Sequence, residues 1–264
     1  MKTQLNTAKW IAFFRHNQLN RTEPRWDAPI KVKPEARLLL EQSLKEFQLG
    51  DGGGPASLIA WNVDTYRKSQ PGLEEVIDLW FEEEKEHSRL LGGLLLRFGV
   101  IPIEDHWSFS LFCFLRRVLG VKFELQILTL TELSSTAYYW LLLRHCEDPG
   151  LRDAVSLILR DEAGHVAFQN DRLHCAGVPG TGLKRLFWRT QFLMSGLVAC
   201  TVLWLSHGKC LRTMGVTTGR FYHEAWRQFG RFIFKLDLRQ RRAIEQVPDQ
   251  ARTVMPQAMA GNAV

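Results

Sequence analysis

The chain has 264 residues, 45% of them hydrophobic, and its nine Trp and sixteen Phe exclude disorder over most of its length. Its formal charge of +6 is modest and gathers toward both ends (Lys31, Lys33 and Arg37; Lys235, Arg239, Arg241 and Arg242). This reads as a solvated basic surface, with contact to an acidic partner, anionic lipid or nucleic acid as the alternative; no aromatic-basic module points to nucleic acid specifically. Five cysteines, an odd number without a C-x-x-C pair, argue against a zinc site or a disulfide framework and suit reduced thiols in a cytoplasmic protein.

Residues 1–34 read as a polar N-terminal arm with a short amphipathic helix around Trp10–Phe14, an apolar run too short for a secretory leader. Pro34 suits the first turn of a helix to about Leu49, with Leu38, Leu39, Leu40, Leu44 and Phe47 as its apolar stripe. A Gly-rich stretch interrupts it, and a second segment covers about Pro55–Lys68. Pro71 opens a helix to about Phe98 on which Trp80, Glu84, His87, Leu91 and Leu94 share a face. A shorter connecting helix over 104–118 follows, then a long one over about Val121–His145 with Leu125, Leu128, Glu132, Thr136 and Tyr139 on one side. Glu147-Asp148-Pro149-Gly150 is a turn, and the next helix runs to about Cys175, carrying Ile158, Glu162, His165 and Gln169 inward. Two more helices are predicted at about 183–206 and 219–243. The apolar run Phe192–Leu205 is shorter than a membrane span and reads as a buried helix packed on the bundle, with membrane association as the alternative. No stretch alternates with period two, so the class is all-α.

Two copies of one pattern dominate the chemistry: Glu83-Glu84-x-x-His87 and Asp161-Glu162-x-x-His165, 78 residues apart. Glu and His at i and i+3 project from one helix face. Each Glu lies 13 residues after a helix-opening proline, Pro71 or Pro149, so the two pairs sit at equal depth. Glu132, on the helix between them, falls about 6 Å from level with Glu162 across the hairpin at 1.5 Å per residue. Carboxylates are hard anionic donors that can bridge two cations, and imidazole adds one neutral nitrogen to each. Burying several carboxylates without a cation is severely unfavourable, which favours a metal over a bare acidic core. The preceding acids suit outer contacts to the imidazole N–H of the opposite motif: Asp161 to His87 and Glu83 to His165.

On these residues (Glu84, His87, Glu132, Glu162 and His165) the chain resembles the ferritin-like di-iron carboxylate superfamily, as a bacterial ferritin-like domain protein. The resemblance covers about residues 35–176 and implies a four-helix bundle there; outside it the sequence reads as an arm over 1–34, a two-helix C-terminal extension over 177–245 and a disordered tail over 246–264. The same resemblance implies two iron ions, or manganese in their place, at a non-haem site that reacts with dioxygen or peroxide. The superfamily places a further carboxylate on the first bundle helix. The 78-residue offset from Glu132 lands on Gly54, so Asp51 is the expected ligand there, ahead of Glu46 and Asp64. Some di-iron monooxygenases carry a Thr one turn after the ligand on the third helix, which makes Thr136 the candidate catalytic residue. The expected activity is that of an oxygenase or oxidase on an unidentified small molecule, with an unidentified electron donor. Iron storage or peroxide detoxification is one alternative, and a membrane-associated protein with a vestigial site is another. A homodimer and peripheral membrane contact are left open. Trp61 and Trp80 read as core residues that could line a substrate pocket, and Tyr138 and Tyr139 as core aromatics.

Overall fold

A computed structural model describes residues 4–51 and 57–245, apart from the side chains of 241–245. Gly54 and the tail from 246 lie outside the described residues. Nine helices and no strand are found among those described: α1 Thr7–Leu19, α2 Pro34–Asp51, α3 Val63–Arg67, α4 Leu73–Arg97, α5 Trp107–Leu119, α6 Val121–His145, α7 Pro149–Cys175, α8 Gly182–Thr213 and α9 Thr218–Glu245. The fold is all-α, a four-helix-bundle core of α2, α4, α6 and α7 with added helices at both ends.

Local chemistry sets the limits of the two motif helices. α4 starts after Gly72 and ends where Gly99 takes a positive φ of 76°, letting Val100 N–H reach back to the Leu95 carbonyl at 2.8 Å. α7 starts at Pro149, with Asp148 capping Leu151 N–H at 2.9 Å. The same Asp148 is fully buried and pairs with Arg97, near the end of α4, at 2.8 Å. It also accepts from Lys31 N–H at 2.8 Å. This pair ties the last turn of α4 to the first turn of α7 and so helps hold the two motifs in register.

α2 packs on α4, α6 on α7, and α4 on α7. α8 packs on both α2 and α6, and α9 on α6 and α7. In keeping with a helix packed on the bundle, Phe192, Cys200, Trp204, Phe221, Phe229 and Phe232 share one core with Leu44, Leu91, Tyr138 and Ile158. Only one face of α8 is buried, so the apolar stretch read as a buried helix is half exposed. Close approach there depends on Gly196, where a Cβ would fall 2.3 Å from the Phe229 ring.

The N-terminal arm is likewise structural. α1 packs on α4 and buries Trp10 and Phe14 against Trp80 and Phe168. Phe13 occupies the space beside Gly164, between Glu162 and His165; a Cβ there would meet the ring at 2.5 Å. Among the described residues of the segment expected over Pro55–Lys68, helix is found at α3 alone. Trp61 is 74% exposed, contrary to its reading as core. The preceding stretch is held by the buried Arg116–Glu124 pair (3.0 Å), whose Glu124 carboxylate also accepts from Ile59 and Ala60 N–H.

Candidate metal centre

α4 and α7 bring Glu84, His87, Glu162 and His165 together, with one ligand atom from each within 4.8 Å of all the others. His87 and His165 are fully buried. Each imidazole turns Nδ1 toward both carboxylates. His87 Nδ1 lies 3.4 Å from Glu84 Oε2 and 3.8 Å from Glu162 Oε1. His165 Nδ1 lies 3.2 Å from Glu84 Oε1 and 3.8 Å from Glu162 Oε2. Each carboxylate thus presents one oxygen to each imidazole, a near-twofold arrangement that follows from equal depth and i, i+3 spacing. Trp80 Nε1 donates to Glu84 Oε1 at 3.0 Å.

The outer nitrogens meet the preceding acids crosswise. His165 Nε2 is 2.9 Å from Glu83 Oε2, and His87 Nε2 is 3.5 Å from Asp161 Oδ2. These acids are themselves anchored. Arg21, on the irregular segment after α1, reaches Asp161 at 2.8 Å and Glu83 at 3.5 Å, and Arg160 reaches Asp161 at 3.2 Å. Arg21 is the main site residue that sequence reasoning missed. It is 140 residues from Asp161 in the chain and belongs to no motif.

Asp51 and Glu132 are not part of the tight four-residue group, but they line the same cavity of about 690 Å³ as Glu84 and Glu162. Asp51 is the last residue of α2, and its Oδ2 accepts from the Tyr139 hydroxyl at 2.8 Å. Glu132 Oε1 lies 3.4 Å from Gln169 Nε2, and the buried Arg172 donates to Gln169 Oε1 at 2.7 Å. Glu46 also lines the cavity, whereas Asp64 is exposed on α3.

Thr136 does not reach this space. Its hydroxyl donates to the Glu132 carbonyl at 2.7 Å, and the α6 hydroxyls that line the cavity belong to Thr131, Ser134 and Ser135. Helix arithmetic puts Thr136 near Glu132. The cavity, however, is lined on that helix by residues up to Ser135 and not by Thr136, although Thr131, Ser134 and Ser135 bond back to the helix in the same way. Trp80 is buried and lines the cavity, in keeping with its expected place.

The donor set fits a metal. His87 Nδ1, His165 Nδ1, Glu162 Oε2 and Glu132 Oε2 are buried without a hydrogen-bond partner among the described residues. Such orphaned polar atoms are costly unless something else binds them. The charge state without a cation is informative. Burial opposes a charged His87, yet Asp161 and Glu84 prevail and push it up to about 10. Burial likewise opposes a charged His165, and Glu84 and Glu83 raise it well above the ordinary imidazole range. Burial works against the Glu84 charge too, but His165 and His87 outweigh it and hold that carboxyl below the usual range. Burial holds Glu132 up at about 8, and burial plus the Glu84 charge holds Asp51 up at about 7. Glu162 is raised well above its ordinary range, first by burial. These directions favour protons held among the imidazoles and carboxyls where no cation is bound, and metal binding would displace them.

The chain matches no family model and no curated protein, and the fold matches no solved structure. The reading of the centre therefore rests on its own geometry.

Proposed function

We propose that the protein is a di-iron oxidoreductase, an oxygenase or oxidase acting on a small organic molecule. The observation that carries this reading is the twofold presentation of Glu84 and Glu162 to both imidazole Nδ1 atoms. Glu84, Glu162, His87 and His165 would hold two iron ions, with Asp51 and Glu132 completing the set from the cavity side. Iron at such a carboxylate-rich site supplies electrons to dioxygen.

The chain's own residues do the rest. Glu83 and Asp161 fix the orientation of the two rings, and Arg21 fixes Glu83 and Asp161. Trp80 holds Glu84, and Tyr139 holds Asp51. Phe47, Phe81, Ile127 and Leu130 line the cavity and keep bulk water from the carboxylates, while leaving room for an organic substrate. That apolar room beside the centre favours an oxidoreductase over iron storage, which has no need of it.

The test is dioxygen consumption by protein loaded anaerobically with ferrous iron. Rapid uptake by the wild type, abolished in Glu84→Ala, supports the proposal. Equal uptake by both, at the rate of free ferrous iron, rejects it.

A further inference from the structure

Two exposed apolar stripes border the mouth of the cavity. On α5, Trp107, Leu111, Phe114 and Val118 recur at helical spacing, and all are exposed. On α8, Phe187, Met194, Val198, Val202 and Leu205 form a second stripe, also exposed. The stripes meet at the cavity, which Trp107 lines from α5 and Val198 and Val202 from α8; these three are 73%, 62% and 58% exposed. Scattered apolar residues on a surface need no explanation, but two adjoining stripes around one opening form a patch that calls for a partner.

Charge identifies the partner. Neither α5 nor α8 contains an acidic residue. Lys209 and Arg212 continue the α8 stripe at its end, Lys184 lies at its start, and Arg117 is exposed on α5. The nearest acids before α5, Glu104 and Asp105, lie in the preceding loop. Apolar side chains flanked by cations match an anionic bilayer surface. A second copy of the chain would bring like charges together across the same face. α8 is the one described helix long and apolar enough to cross a membrane, yet its other face is packed on α2, α6 and α9. That packing suits a helix lying in the bilayer interface rather than one spanning it.

We propose that the α5–α8 face docks on anionic lipid bilayers. Trp107, with an apolar body and a polar N–H, is suited to the headgroup boundary. Docked in this way, the cavity mouth faces lipid, and a molecule reaching the buried carboxylates would arrive from the bilayer. That last consequence alone rests on the function proposed above.

Co-sedimentation of the full chain with vesicles tests the docking. The expected result is binding to phosphatidylcholine vesicles containing phosphatidylglycerol, weaker binding to phosphatidylcholine alone, and loss of binding as salt is raised. The double variant Met194→Glu/Leu205→Glu on α8, and Phe114→Glu on α5, should each lower binding at least about tenfold, as charged groups in an apolar contact do. Leu19→Glu, at the end of α1, should leave it unchanged. Glu84→Ala should also bind vesicles normally, so a failure of the metal assignment and a failure of the docking are told apart. No binding to either vesicle overturns the proposal. A dimer without lipid that Met194→Glu/Leu205→Glu dissociates, measured by sedimentation velocity, also overturns it and assigns the face to a second copy. Helicity by circular dichroism confirms that each variant is folded.

Discussion

The two walls of the buried centre are built differently. On the α4–α7 wall both imidazoles are backed by an outer acid: Glu83 behind His165, Asp161 behind His87, and Arg21 behind both acids. On the α2–α6 wall, Asp51 and Glu132 are each held by a single neutral donor and open onto a cavity. The first wall is a mount braced by ion pairs. The second is a pair of carboxyls with one neutral hydrogen bond each. Under the proposed function this division lets the residues that hold metal stay in place when a substrate enters.

The contrast can be broken most severely at Glu84, which faces both imidazoles. Glu84→Ala should weaken metal binding by more than about a hundredfold, beyond the range that outer contacts command, read by competition with a chelator. The next effect concerns the cavity wall alone. His207 of α8 sits beside Ser43 and Tyr138, its Nδ1 2.9 Å from Ser43 Oγ. Burial, reinforced by His106, lowers its pKa to about 4. Its contribution to stability is complete above about pH 6.5 and is lost as the pH falls toward about 4, because only the unfolded chain takes up the proton in that window. The loss should be about 3 kcal/mol, seen as the difference between wild type and His207→Gln in urea denaturation at neutral and acidic pH.

Weakening the mount should cost less than removing Glu84. Glu83→Gln and Asp161→Asn are each expected to lower metal affinity about 10- to 100-fold without changing the number of ions bound at saturation. The mildest change in affinity should come from the other wall. Asp51→Asn and Glu132→Gln should leave the tighter ion in place and lower occupancy of the second, so that titration shows one strong step where the wild type shows two. Equal losses from all four substitutions would mean that the walls do not differ.

Much of the α4–α7 wall was legible in the sequence, because helix spacing carries it. The paired Glu-x-x-His motifs, their 13-residue depth below Pro71 and Pro149, and the crosswise outer acids all follow from 3.6 residues per turn. The start of α7 was equally plain, marked by Asp148-Pro149. What escaped depends on contacts between distant segments. Arg21 lies in an irregular stretch and gains its role only when α1 docks on α4. Thr136 was placed on the right helix, but its hydroxyl is satisfied by the Glu132 carbonyl, a choice that periodicity does not record. The apolar run in α8 predicts burial by composition, yet only the face bearing Phe192, Gly196, Cys200 and Trp204 is covered. Hydrophobicity alone does not say which side of a helix meets protein.

The most direct test of the central claim is the iron content of protein reconstituted anaerobically and freed of loose metal. The wild type should hold two irons per chain and Glu84→Ala fewer than about one, since metal affinity follows the intact ligand set. Fewer than about one iron in the wild type, or a Glu84→Ala variant indistinguishable from it, would contradict a di-iron centre between α4 and α7.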